Sequence, residues 1–125
     1  MILCRRITLF LILFVALNGL GCAAKRGYDE ARRHGDEELL RVDLASFREM
    51  IREYTAATGK PPQRLSDLVT AGYMNAIPVD PMTNKADWIV VEYDCGVQTK
   101  CLKGIRDVHS ASKGASISGT PYSEW

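Results

Sequence analysis

From Ile7 to Ala24 the chain carries no charged residue, an 18-residue run preceded by Arg5 and Arg6. No other feature restricts the fold so strongly. At ~1.5 Å per residue, a helix of this length reaches only the lower limit for spanning a bilayer core of ~30 Å. The apolar stretch Ile7-Thr8-Leu9-Phe10-Leu11-Ile12-Leu13-Phe14-Val15-Ala16-Leu17 is greasy all round a helix, which argues against a buried core helix with one apolar stripe. Asn18, Gly19 and Gly21 weaken its second half as a helix. A positive start, an apolar middle and a small-residue exit describe a secretory signal. Residues 1–21 therefore read as a signal peptide or a retained membrane anchor. Under either reading the arginines keep their end in the cytoplasm, and the rest of the chain lies beyond the membrane.

The exit places Cys22 directly after Gly21, as bacterial lipoprotein signals do, where the thiol receives the lipid. Cys22 is thus the candidate lipidation site. Gly19 and Leu20 depart from the usual pattern of a Leu three residues before the cysteine and a small residue two before. The expected location is the cell envelope, membrane-anchored, with the globular domain in the periplasm.

Charge narrows the function further. Removing Arg5 and Arg6 from the 16 basic residues leaves 14 against 15 acidic ones. The remaining hundred or so residues are near-neutral, enough for one modest core and too balanced for a nucleic-acid binder. Residues 22–38 mix Lys25, Arg26, Arg32 and Arg33 with Asp29, Glu30, Asp36, Glu37 and Glu38, with Gly27 and Gly35 among them. This segment reads as a charged tether or a frayed helix lead-in whose polarity argues against burial.

Residues 39–125 carry the folding signals. Leu40, Leu44, Phe47, Ile51 and Tyr54 recur at helical spacing, with Met50 beside them, and predict a core helix over Glu37 to Thr58. Asp36 is the expected N-cap, and Gly59 before Pro61-Pro62 the expected stop. Leu65, Leu68 and Val69 fit a short helix ended by Gly72, with Tyr73, Met74 and Ile77 folding back as a lid. Trp88 to Tyr93 is a strong strand pattern, with Ile89, Val91 and Tyr93 on one face and Trp88, Val90 and Glu92 on the other. Leu102 to His109 is a weaker strand, with Ile105 and Val108 as its apolar contacts. The terminal Tyr122 and Trp125 predict a docked tail. The expected class is α+β, an amphipathic helix packed on a small antiparallel sheet.

Cys95 and Cys101 flank a five-residue loop joining the two strands. In an exported domain they read as a disulfide worth about 2–3 kcal/mol, or else as two buried thiols. They lack the second pair and the histidine spacing a zinc site needs. Asp107-Val108-His109-Ser110, with Ser112 nearby, is the best catalytic grouping, but on a strand Ser110 points away from the face shared by Asp107 and His109. His34 lies in the charged stretch and reads as solvated. Gly114 and Gly119 lack phosphate-loop spacing. No enzyme, cofactor or metal is expected.

Several blocks carry a family likeness. Arg41-Val42-Asp43-Leu44 through Ile51-Arg52-Glu53-Tyr54, then Thr58-Gly59-Lys60-Pro61-Pro62, resembles the end of a long helix and its exit in the pilin-like family. Leu65-Ser66-Asp67-Leu68, Ala71-Gly72-Tyr73-Met74 and Ile77-Pro78-Val79-Asp80-Pro81 resemble that family's helix-to-sheet loop. Gly104 to Ser110 and Gly119 to Trp125 look like the sheet and tail of the type II secretion pseudopilins similar to general secretion pathway protein G. The resemblance implies a pilin-like fold and a non-enzymatic role in a type II secretion or type IV pilus-like system, with the membrane and other pseudopilins or secretion-system subunits as partners. The N-terminus departs from the pattern: Arg6 stands where the family has a Gly before its cleavage site, and Leu11 where it has a Glu. That Glu is thought to neutralise a neighbouring subunit's amino group inside the membrane, where an unpaired charge is costly. Some members bind calcium at the sheet end, but Ser110 to Ser123 offers too few carboxylates for the six to eight oxygens calcium takes. The alternative is a stand-alone periplasmic lipoprotein using the same domain as a binding module.

Overall fold

A long helix, α1, spans Ile2–Thr58. The computed structural model describes residues 2–94 and 102–125, with side chains described from Lys25 onward. The chain divides into two compact units, Met1–Gly35 and Asp36–Trp125. In the first unit, every side chain from Lys25 to Gly35 is exposed. Among the described residues, no helix is long and apolar enough to cross a membrane. The uncharged run and Cys22 fall outside the described side chains.

The helix start differs from expectation. Asp36 does not cap a new helix; it lies inside α1. Extending a helix is cheap compared with nucleating one, and no proline occurs before Pro61 to force a restart. Gly27 and Gly35 weaken the segment by about 1 kcal/mol each without ending it. At the other end, Gly59 adopts a φ of +73° and its N–H reaches the Thr55 carbonyl at 2.9 Å. A left-handed glycine followed by Pro61-Pro62 closes the helix.

In the second unit the α1 stripe is the core. Leu40, Leu44, Phe47 and Ile51 are buried, with Met50 and Tyr54 half-buried beside them. A short helix, α2 (Leu65–Thr70), contributes the buried Leu68. The Asp67 carboxylate accepts the Gln63 and Arg64 N–H groups at 2.9 Å each, satisfying donors at the start of α2. Tyr73, Met74 and Ile77 pack against the core as the lid predicted for them. Tyr54 and Tyr73 meet edge to face at 5.9 Å.

Two strands, β1 (Ile89–Glu92) and β2 (Ile105–His109), pair antiparallel. The register sets Ile89 against His109, Val90 against Val108 and Val91 against Asp107, with an irregularity between Val91 and Glu92. The stronger strand pattern turns out to be the more exposed of the two strands. Ile89, Val90 and Tyr93 are exposed, whereas Ile105 and Val108 of β2 are buried. The cause is packing: Ile105 and Val108 join the core cluster with the α1 stripe, and the Ile105 N–H also donates to the Pro62 carbonyl at 2.8 Å, which sets one end of β2 against the connector leaving α1. Trp88, just before β1, is buried against Phe47 edge to face at 5.1 Å and donates its indole N–H to the Pro78 carbonyl. The tail is docked: Tyr122 is buried, its ring 5.4 Å from that of Trp125. The architecture is thus α+β, with the second half of α1 packed on a small two-stranded antiparallel sheet.

Candidate functional site

Arg41 and Arg48 stand seven residues apart on α1, two turns, and so project from one side of the helix. Both turn toward Trp125. The Arg48 Nε donates to Asp107 Oδ1 at 2.7 Å, and its Nη2 donates to the Trp125 backbone oxygen at 2.8 Å. The Arg41 guanidinium lies over the Trp125 ring, 4.5 Å from its centroid. Between them opens a cavity of about 370 Å³ lined by Arg41, Leu44, Arg48 and Trp125.

The carboxylate in this group is anchored on β2. Partial burial pushes the Asp107 carboxyl up, but the Arg48 hydrogen bond, the Val108 N–H and the charges of Arg48 and His109 together hold it below the usual carboxylate range. One turn before Arg41, Glu37 is buried and accepts the Ile117 N–H and the Tyr122 hydroxyl on Oε1, each at 2.8 Å. Glu37 thereby ties the tail to α1.

The Asp107, His109, Ser110 and Ser112 grouping does not form a relay. His109 Nε2 is 3.7 Å from Asp107 Oδ2, beyond hydrogen-bond length, and His109 Nδ1 is buried without a partner among the described residues. Ser110 is fully buried, and its hydroxyl donates to Asp80 Oδ2 at 2.6 Å. Ser112 offers its N–H to Ser110 Oγ, and its own Oγ accepts the Gly114 N–H. A hydroxyl so enclosed cannot meet a substrate in this arrangement.

Asp80 closes a tight loop. Its Oδ1 accepts the Met82 N–H, and its backbone pairs with Lys85. Asp43 on α1 is pushed above its usual range, first by burial and then by the Asp80 charge. Among the described residues, no group of three or more His, Cys, Asp or Glu side chains could hold a metal ion. Cys95 and Cys101 lie outside the described residues, as does the side chain of Cys22.

Sequence reasoning placed Leu40, Leu44, Phe47, Ile51 and Tyr54 on one stripe, and they do share the core side of α1. It missed Arg48–Asp107, Glu37–Tyr122 and Asp80–Ser110. These pairs are 59, 85 and 30 residues apart, and no local spacing signals them. The one available hint was a carboxylate, Glu37, sitting one turn ahead of the apolar stripe. In comparison with known proteins, the chain matches no family model, no curated protein and no solved structure.

Proposed function

We propose that this chain is a membrane-tethered, non-enzymatic, pseudopilin-like subunit of a type II secretion or type IV pilus-like system. The observation that carries the reading is the packing of the Leu40 to Ile51 stripe against Ile105 and Val108, in the order long helix, connector, hairpin and docked tail. The uncharged run in the first half of the same helix supplies the tether. The domain sits on the periplasmic side and works by contact with other subunits, using neither cofactor nor nucleic acid.

A second reading is favoured by Gly21-Cys22 together with the Arg6 and Leu11 departures. Here the chain is a stand-alone periplasmic lipoprotein whose pilin-like domain is a binding module. Intact-mass analysis of the membrane fraction distinguishes the two. A species starting at Ile7 with a methylated amine supports the filament subunit, and a diacylglyceryl-modified species starting at Cys22 supports the lipoprotein. The unprocessed chain found free among cytosolic proteins overturns both.

A further inference from the structure

The cavity between α1 and the tail has the chemistry of an anion site. It is lined by two guanidiniums, of which Arg48 is engaged by the Asp107 carboxylate and by the Trp125 main-chain oxygen. Glu37, one turn before Arg41, spends Oε1 on Ile117 and Tyr122 and makes no ion pair with Arg41 among the described residues. Arg41 itself has no ion-pair partner among the described residues, yet it is oriented by the Trp125 ring. Arg48 uses Nε and one Nη2 hydrogen on Asp107 and Trp125, and a guanidinium carries five N–H donors in all. Three of them therefore stay available. Trp125 and Leu44 supply an apolar floor. At about 370 Å³ the volume lies near the lower end for small-ligand pockets.

We propose that Arg41, Arg48 and Trp125 form a binding site for an oxyanion, a carboxylate or a phosphate, carried on a planar apolar body. Arg41 supplies the free charge. Arg48 is fixed in place by Asp107 and adds donors in a rigid fork, and the indole ring takes the apolar body. The inference goes beyond the assembly role and does not depend on it.

The test uses the full chain in non-ionic detergent micelles and follows the Trp125 indole N–H by NMR. Phenyl phosphate and benzoate are titrated, with inorganic phosphate for comparison and benzylamine as the cationic control. The expected result is a saturable Trp125 shift with Kd of about 1 mM. Phenyl phosphate should bind several-fold more tightly than inorganic phosphate, and benzylamine should have no effect. Arg41→Gln should weaken binding about tenfold or more while leaving the Trp88 indole signal in place. Asp107→Asn, which keeps an oxygen for Arg48 but removes the competing charge, should tighten binding several-fold, a direction no merely structural role would produce. Phosphatidylglycerol doped into the micelles is a second comparison. Its phosphate carries no planar apolar body, so it should shift Trp125 less than phenyl phosphate does, and an Arg41-dependent shift as strong as that of phenyl phosphate overturns the proposal. The proposal is overturned by a flat titration, by a response that Arg41→Gln leaves intact, or by equal binding of phenyl and inorganic phosphate.

Discussion

Gly104, at the entry to β2, has a φ of +142°. A Cβ there would lie 2.7 Å from Gln63 Nε2, 2.8 Å from Pro61 Cγ and 2.8 Å from the Pro62 carbonyl oxygen. None of these atoms can retreat freely. The Pro62 oxygen accepts the Ile105 N–H, and Gln63 Nε2 is held by the Pro61 and Lys103 carbonyls. Gly59 is the natural control, because it also has a positive φ but would place its Cβ in open space. Alanine at Gly59 therefore costs only the backbone penalty, about 1–2 kcal/mol. Alanine at Gly104 adds overpacking of about 1–3 kcal/mol, for a total of about 2–5 kcal/mol. With a slope of about 1.5 kcal/mol per M urea, Gly104→Ala should lower the unfolding midpoint by about 1–3 M and Gly59→Ala by about 1 M. Trp88 fluorescence reports the transition, since that indole is buried against Phe47. If Gly104→Ala costs no more than Gly59→Ala, the connector does not lie against β2 as described.

Phe47→Ala should destabilise the domain by about 3–5 kcal/mol and Phe47→Leu by less than about 1.5, read as loss of the near-ultraviolet signal from the Phe47–Trp88 pair on urea unfolding. Glu37→Ala should cost about 1.5–3 kcal/mol and speed hydrogen exchange at the Ile117 amide, with Glu37→Gln recovering part of the loss because it keeps an acceptor oxygen. The Asp107 carboxyl is held below its ordinary 3.8, so its stabilisation is full above that value and is lost as pH falls through the lower, folded-state value. Acid unfolding curves of the native chain and Asp107→Asn should therefore differ at neutral pH and converge in strong acid. Asp43 is shifted the other way, so its charge costs stability above its raised value. Asp43→Asn should raise the thermal midpoint at neutral pH, with the gain shrinking as pH falls toward 3.8.

The helix stripe was legible in the sequence because burial on a helix repeats every three to four residues, and Leu40, Leu44, Phe47 and Ile51 carry that period in a contiguous stretch. The stop at Gly59, the short helix and the two strands were legible for the same reason, each being a local backbone preference. The starting point of α1 was not, because an acidic residue marks a possible start and cannot show that an earlier helix simply runs through it. Nor could strand strength tell which strand the core would cover. Ile89-Val90-Val91 has the better β pattern, yet Ile89 and Val90 lie exposed, since which strand is covered depends on which one packs on the α1 stripe. The cavity of Arg41, Arg48 and Trp125 belongs wholly to the tertiary structure. Its members come from α1 and the tail, with Asp107 of β2 fixing Arg48, and a charge pair 59 residues apart leaves no trace in local spacing. Local preference sets which segments can be helix or strand. Long-range packing decides which side chains meet, because a contact between distant residues exists only after the chain has closed around its core.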